Sequence, residues 1–257
     1  MKTDRAVGRA SEFLYLTADP CLLPMSDALD KVRGVRELPL FPLPLVLFPG
    51  VPLPLHIFEE RYRRMLADVN ASHRLFGLPF TAEDAPGGRP PAGHVGCVAE
   101  VVESQPLADG RANILTVGVV RYRLESYVEA GEPYLVGRVS YFEDDAEDAE
   151  LLARRARQVT ELFGRIALAV RALNDDRAAL PELPESDPER LSFLVAAAME
   201  LDNEAKQGLL ELRSGAERLA RIRRLLAQVV EGYEERARMH KLARGNGHAG
   251  RDANPGG

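Results

Sequence analysis

Residues 38–55 contain six prolines and no charged side chain, and they limit the possible folds more than any other stretch of the chain. Eighteen uncharged residues approach the length of a membrane span. Proline, however, lacks a backbone N–H and breaks helices, so a helix here could not satisfy its own hydrogen bonds in lipid. The sequence instead predicts short extended pieces at 38–41, 45–48 and 53–55, joined by turns of which Pro49-Gly50 is the sharpest.

A helix is predicted directly after this segment. Apolar residues recur there at helical spacing, namely Phe58, Tyr62, Met65 and Val69. This spacing indicates an amphipathic helix of about three turns.

Strand patterns dominate the next part of the chain. Residues 74–80 form a predicted strand, and the proline- and glycine-rich residues 85–93 a predicted exposed loop. Residues 94–103 and 112–120 flank Asp109-Gly110, a dipeptide suited to a tight hairpin turn.

The β region is predicted to end near Glu143. Before it, Val120, Tyr122 and Leu124 alternate with Arg121, Arg123 and Glu125, and residues 134–142 supply one more strand. This alternation predicts a strand with one buried apolar face and one polar face.

Helical periodicity replaces the strand pattern from residue 144 onward. Six acidic residues at 143–150 suit the positive end of a first helix. Capping residues in Ser186-Asp187-Pro188 and at Ser214 with Glu217 start two more, on either side of a short helix at 204–212. The predicted apolar face of the last helix is Leu219, Ile222, Leu226, Val229 and Tyr233.

These patterns divide the chain into four parts. Residues 1–34 are predicted to be a flexible leader, 35–143 a β-rich subdomain, 144–242 a helical subdomain and 243–257 a disordered tail.

The charge of the chain favours some partners over others. A net charge of -6 and a pI near 5.5 argue against non-specific binding to nucleic acid or anionic membranes, which requires excess Lys and Arg. Cys21 and Cys97 form no CxxC pair, and the first residues lack the apolar core of a secretory signal. We therefore expect a cytoplasmic protein in a reducing compartment.

Motifs for common enzymatic chemistry are missing from the sequence. None of the four lysines follows a glycine, so a phosphate-binding P-loop is excluded. The five histidines form no HxH or HExxH pair, and GxSxG does not occur. The sequence therefore predicts no catalytic, cofactor-binding or metal-binding residues, and a protein that is not an enzyme.

Three polar groups invite a functional interpretation but favour a structural one. His56 precedes the predicted helix, where backbone hydrogen bonding or simple exposure is more usual than ligand contact. Glu59, Arg61 and Tyr62 fall on different helical faces, so an acid–base group is disfavoured. The C-terminal arginines are interpreted as a solvated face rather than a nucleic-acid site; they are Arg213, Arg218, Arg221, Arg223 and Arg224.

The proline-rich segment also carries a family resemblance. ELPLFPL at 37–43, VLFPG at 46–50 and LPLHIFE at 53–59, followed by Arg61-Tyr62, resemble the opening signature of the Lon N-terminal domain family. Later matching positions in the same order are 93–103, 109–110, 117–122, 133–135, 187–188, 204–207 and 209–211. The resemblance covers residues 35–240. It implies an α+β fold, with a β-rich PUA-like pseudo-barrel followed by a C-terminal helical bundle.

Two functions follow from the resemblance. The first is a non-catalytic protein-interaction module that recognises unfolded or partner polypeptides as substrates, or that acts as an adaptor for a separate protease. The second is a PUA-like domain that binds a small molecule or RNA. An ATP-dependent peptidase label would be inherited from longer relatives without the catalytic residues. An exposed apolar groove would favour the first function, and a deep pocket with convergent polar groups the second.

The partner-binding candidates are Leu43, Leu45, Phe48, Phe76 and Phe80. Extended backbone that lacks donors is difficult to bury completely, so these residues are predicted to form a surface apolar patch. The competing interpretation, which the usual burial of Leu and Phe favours, is that all five fill the barrel core.

Overall fold

The computed structural model describes residues 28–82, 88–129, 131–174, 183 and 187–248, with side chains up to residue 243. Six strands and six helices lie within these ranges. The strands are β1 Glu37–Leu40, β2 Pro52–Ile57, β3 Leu75–Pro79, β4 Val95–Pro106, β5 Ala112–Val128 and β6 Leu135–Phe142. The helices are α1 Ala28–Lys31, α2 Glu60–Asn70, α3 Ala149–Leu173, α4 Pro188–Ala198, α5 Asn203–Glu211 and α6 Gly215–His248. Among the described helices, none has the length and apolar character needed to cross a membrane.

Five strands close into a barrel. β5 pairs with β4, β4 with β3, β3 with β1 and β1 with β6, and β6 returns to β5. All of these pairs are antiparallel except β1 with β3. The length of β5 makes closure possible. Its second half pairs with β6 to close the barrel, and its first half pairs with β2, the strand that is not part of the closed ring. The prediction of an α+β fold with a β-rich pseudo-barrel is confirmed.

Among the described strands, β2 pairs on one edge only, and prolines occupy its other edge. The strand pairs with β5 from Pro52 opposite Val117 to Ile57 opposite Ala112. In an antiparallel ladder alternate residues direct their backbone groups toward the partner, and proline has no N–H to donate. Pro52 and Pro54 therefore lie at the outward-facing positions, where they remove donors that an additional strand would need.

Tyr122 fills the interior of the barrel. Its side chain is fully buried, and its ring extends to the backbone of Gly77 and Gly96. A Cβ atom on these glycines would lie 2.9 Å and 2.5 Å from the Tyr122 hydroxyl oxygen. Glycine is therefore needed at both positions, because the Tyr122 ring leaves no room for a side chain there. Within the described residues, the Tyr122 hydroxyl has no hydrogen-bond partner.

We predict that Tyr122→Phe leaves the free energy of unfolding unchanged or raises it by up to about 1 kcal/mol, because a buried hydroxyl without a partner opposes folding. Tyr134→Phe is the matched control, since the Tyr134 hydroxyl lies 2.9 Å from a carboxylate oxygen of Asp68. The control should lose about 1 kcal/mol. Urea unfolding measures both; a loss above 1 kcal/mol for Tyr122→Phe would contradict the prediction.

Helix α2 covers one side of the barrel, as its periodicity predicts. Its buried face is Tyr62, Met65, Leu66 and Val69. These residues join a core cluster that includes Phe41, Ile57 and Phe76. Phe58 was wrongly assigned to this face: it precedes the helix and is 58% exposed.

The extended piece predicted at 45–48 is not a strand. Residues 46–48 have no regular secondary structure, and Gly50 N donates instead to Gly118 O at 2.8 Å. Pro44 and Pro49 flank the stretch, so it lies on the barrel as a loop whose turn at Gly50 has a φ of 75°. Leu47 and Phe48 are nevertheless buried.

The described chain forms two compact units. The first unit contains the chain up to Asp145 together with the later segment Phe193–Arg213. The second unit contains Ala146–Ser192 and the chain from Ser214. The predicted boundary at 143–144 is close to the first division, but part of the predicted helical subdomain groups with the barrel. The contacts of α5 explain this: Gln207 Nε2 donates to Val95 O at 2.9 Å, and Asn203 Nδ2 to Pro44 O at 2.8 Å.

The ends of the predicted parts also differ from the structure. Helix α1 lies inside the predicted leader, and Ala28 and Val32 pack into the barrel core because they are apolar residues next to β1. The last helix continues to His248, into the predicted tail. Residues 1–27 and 249–257 lie outside the described residues.

The second unit is built on α3 and α6, whose N-termini are joined by Glu147. Its carboxylate accepts from Ser214 Oγ at 2.7 Å and Ala216 N at 2.9 Å. Ser214 caps α6 as predicted, because its hydroxyl accepts from Glu217 N at 2.9 Å. On the buried face of α6, Val230 takes the place predicted for Val229, which is 43% exposed.

Two arginines are buried, although one was predicted on a solvated helix face and the other on the polar face of a strand. Arg218 of α6 is 0% exposed and donates through Nε to Ser192 Oγ at 2.6 Å. Arg121 of β5 is 1% exposed and pairs with Asp144 at 2.5 Å. The alternation of β5 therefore breaks at Arg121, because a carboxylate and backbone carbonyls are close enough to hold the guanidinium there.

Candidate functional site

The five predicted partner-binding residues do not share one surface. Phe48 and Phe76 are fully buried, so the patch interpretation is wrong for both. The ring of Phe48 lies 6.0 Å from that of Phe193, and the ring of Phe76 lies 6.1 Å from that of Phe41. The remaining three are half-buried, namely Leu43, Leu45 and Phe80.

A cleft of about 630 Å³ lies beside Leu43. The cleft is surrounded by the proline-rich segment and the start of α2. The described parts of the β3–β4 loop and the loop that connects β5 to β6 complete it. Its lining comprises Pro42, Leu43, Pro44, Arg61, Tyr62, Thr81, Ala82, Gly88, Arg89, Glu129 and Leu135. Of the five predicted residues, Leu43 alone is in this lining.

Backbone hydrogen bonds hold the proline-rich wall of the cleft in place. Leu43 N donates to Pro79 O at 3.2 Å, and Thr81 N donates to Leu43 O at 2.9 Å. Leu43 is thereby bridged to Phe80 in a parallel arrangement. Asn203 Nδ2 binds the next carbonyl, that of Pro44, at 2.8 Å. The wall is therefore fixed before any ligand binds.

Tyr62 and Arg61 form the side of the cleft that α2 contributes. The centre of the Tyr62 ring lies 4.1 Å from that of the Phe41 ring. The guanidinium carbon of Arg61 lies over the Tyr62 ring, 4.5 Å from its centre. Arg61 also donates through Nε to the Glu59 carboxylate at 2.9 Å. Burial raises the pKa of Tyr62, with a smaller opposing effect from Arg61. A phenol that stays protonated and a paired carboxylate support the structural interpretation of this group.

Arg89 forms the opposite rim. Its guanidinium carbon lies 4.3 Å from the centre of the Tyr127 ring, and the Tyr127 hydroxyl donates to Pro90 O at 2.7 Å. Among the described residues, the acid that pairs with this guanidinium is Glu129, at 3.9 Å from Arg89 Nη2. Burial raises the pKa of Tyr127, although Arg89 lowers it in part. The cleft therefore contains two half-exposed arginines, each stacked on a neutral tyrosine.

Sequence patterns did not identify Arg89, Tyr127 or Glu129 as members of a site. Arg89 lies about 40 residues before Tyr127 and Glu129 in the sequence, and the pairing of β4 with β5 brings them together. Residues 85–93 were predicted only as an exposed loop, and residues 85–87 of it lie outside the described part of the chain. A basic residue within a Pro- and Gly-rich loop was the available signal.

The histidines and cysteines have structural surroundings. His56 is exposed, with Nδ1 2.7 Å from Asn113 Oδ1. Cys97 is fully buried, and burial raises the pKa of its thiol to about 12, so it is unreactive. Cys21 lies outside the described residues. Across the described residues, no three His, Cys, Asp or Glu side chains are placed to hold a metal ion.

Comparison with known proteins identifies similar domains. A family model for the ATP-dependent protease La (LON) substrate-binding domain matches residues 37–228. Lon protease 2 of Herpetosiphon aurantiacus is 29% identical over 210 residues, covering 80% of this chain and 26% of the relative. Lon protease of Brevibacillus choshinensis is 29% identical over 191 residues, covering 72% and 24%. The chain spans about a quarter of the length of the curated relatives it matches.

Two solved structures share the fold. A Lon N-terminal domain protein from Xanthomonas campestris aligns with a TM-score of 0.50 at 24% identity, covering 73% of this chain and 97% of that one. The N-terminal domain of the Mycobacterium avium complex Lon protease aligns with a TM-score of 0.54 at 20% identity, covering 74% and 98%.

Proposed function

The chain belongs to the family of LON substrate-binding domains, and on that basis we propose that it binds polypeptide segments in the cleft beside its proline-rich segment. The observation that carries the proposal is a solvent-open cleft that combines apolar residues with charged side chains. Pro42, Leu43, Pro44 and Leu135 line the cleft, while Arg61 and Arg89 at its rims keep about half of their side-chain surface exposed.

The chemistry of the cleft favours polypeptides over the alternative ligands. Apolar side chains gain free energy when they leave water to contact the apolar residues of the cleft. RNA would require a strongly basic surface, whereas the chain has a net charge of -6 and the cleft has two arginines and one glutamate. The described lining contains no histidine, and its charged side chains are Arg61, Arg89 and Glu129.

Recognition without catalysis is part of the same proposal. The sequence has no phosphate-binding loop, and the described residues of the cleft lining offer no pair of a nucleophile and a base. A polypeptide bound here is therefore held or passed to a separate protease. The free thiol of Cys97 agrees with a reducing compartment such as the cytoplasm.

We predict that Leu43→Ser weakens binding of fluorescein-labelled casein about tenfold, because roughly one buried leucine contact is lost. The melting temperature should change little, since Leu43 is only half-buried. Leu168→Ser on α3 is the matched control: Leu168 is 55% exposed and lies outside the cleft. Fluorescence anisotropy measures affinity, and electrophoresis should show that casein stays intact with and without ATP.

Equal affinities for wild type and Leu43→Ser would show that this cleft does not bind the polypeptide. Cleavage of casein that follows the protein through every purification step would contradict the non-catalytic role.

A further inference from the structure

The two arginines at the rims of the cleft, Arg61 and Arg89, differ in the hydrogen bonds that they make. Arg61 donates to the carboxylate of Glu59 at 2.9 Å. Arg89 has no hydrogen-bond acceptor among the described residues, and Glu129 at 3.9 Å is beyond hydrogen-bond distance. The Glu129 side chain is itself 95% exposed and is thus strongly hydrated. Arg89 therefore presents a charged fork of N–H donors to the cleft.

The guanidinium of Arg89 is held in position before any ligand arrives. The guanidinium carbon lies 4.3 Å from the centre of the Tyr127 ring, and this cation–π contact favours one position of the guanidinium. The Tyr127 hydroxyl is anchored on the carbonyl of Pro90, the residue next to Arg89. A planar, preorganised guanidinium suits two parallel hydrogen bonds to a carboxylate.

Resting on the proposed function, we propose that Arg89 makes the cleft selective for apolar polypeptide segments that carry a carboxylate. Leu43 and Leu135 contact the apolar side chains, while Arg89 binds the carboxylate at the rim. The carboxylate comes from an Asp or Glu side chain or from the C-terminus of the bound chain. Glu129 is a competitor for the same guanidinium, weak because it is distant and exposed.

Three labelled eight-residue peptides of alternating leucine and alanine test the proposal. The first is amidated and neutral, the second has a free C-terminal carboxylate, and the third is amidated with one internal glutamate. Wild type should bind at least one carboxylate peptide roughly tenfold more tightly than the neutral peptide. The peptide that gains affinity identifies the source of the carboxylate.

Variants that change the charge near Arg89 should act in opposite directions. In Arg89→Gln the ratio of carboxylate to neutral affinity should fall to about one, and in Glu129→Gln it should rise severalfold because the competing carboxylate is gone. Arg111→Gln is the control, since its side chain is also 49% exposed and lies outside the cleft lining. It should leave the ratio unchanged.

Each failure has a separate meaning. If none of the three peptides binds to wild type, the proposed polypeptide site is contradicted. If all three bind equally, or if Arg89→Gln keeps the ratio of wild type, the site stands and the selectivity of Arg89 is overturned. If Arg89→Gln does not fold, a ratio that is unchanged or lower in Glu129→Gln overturns the selectivity instead.

Discussion

Replacing Arg121 by methionine is expected to lower the free energy of unfolding by about 3 to 5 kcal/mol. The guanidinium is 1% exposed and pairs with Asp144, whose side chain is 7% exposed. It also donates to the carbonyls of Leu210 and Leu212 at 3.1 Å and 2.5 Å, at the C-terminal end of α5. Methionine fills part of the volume but leaves a carboxylate and two helix-end carbonyls without this cation.

The controls separate burial from charge. Arg138→Met removes a cation whose side chain is 55% exposed and pairs with Glu37, so it should cost less than about 1 kcal/mol. The double variant Arg121→Met, Asp144→Leu should recover part of the loss, because no buried charge is left unpaired. Chemical denaturation gives all four values. A loss below 1 kcal/mol for Arg121→Met would show that Arg121 does not hold α5 to the barrel.

Gly118→Ala is expected to lower the free energy of unfolding by about 3 kcal/mol, through overpacking against rigid backbone. A Cβ atom at this position would lie 2.9 Å from the carbonyl carbon of Phe48 and closer still to its oxygen. Two hydrogen bonds hold the Pro49-Gly50 turn against β5, so the turn cannot easily move away from an added Cβ atom. Gly118 N donates to Val51 O at 3.0 Å, and Gly118 O accepts from Gly50 N. In a chain of this size the melting temperature should fall by roughly 6 to 12 °C.

Gly164→Ala is the matched control for the same chemical change. Gly164 lies within α3, and nothing is within 4 Å of its added Cβ atom. Alanine should stabilise the helix by up to about 1 kcal/mol. Similar melting temperatures for the two variants would mean that the Pro49-Gly50 turn moves away from β5 without cost.

Local patterns predicted the elements whose physics is local. The turn at Asp109-Gly110 needs a positive φ, and Gly110 has one of 81°. The helix caps were predicted for the same reason: Asp187 accepts from Glu189 N at 3.0 Å, and Ser214 from Glu217 N. In these cases donor and acceptor lie two or three residues apart, so the sequence contains both partners.

The acidic run at 143–150 shows where such reasoning fails. It was interpreted as one favourable charge cluster at a helix start, but only Asp148 caps α3, by accepting from Glu150 N at 2.9 Å. Asp145 binds Arg213 at 2.6 Å, and Glu147 caps a different helix. Their partners are about 70 residues away, so only the fold reveals the assignment.

The candidate site was predicted in part for a similar reason. The proline-rich segment supplies one wall, but hydrophobicity alone cannot separate half-buried Leu43 from fully buried Phe48. Phe48 is buried because its ring packs against Phe193, a contact that forms only in the folded chain. The charged rim needed Arg89 and Glu129, which the β4–β5 pairing brings together.

The bonds from Arg121 to Leu210 and Leu212 also have a consequence for biosynthesis. They join residues 89 and 91 positions apart, so the barrel strands emerge from the ribosome well before their cover does. About 70 residues separate the end of β6 from Leu212, which corresponds to roughly 4 to 14 s at about 5 to 20 residues per second. During that interval the nascent barrel exposes the surface that α5 later covers. Chaperones that bind nascent chains therefore have a defined window and a defined surface on this protein.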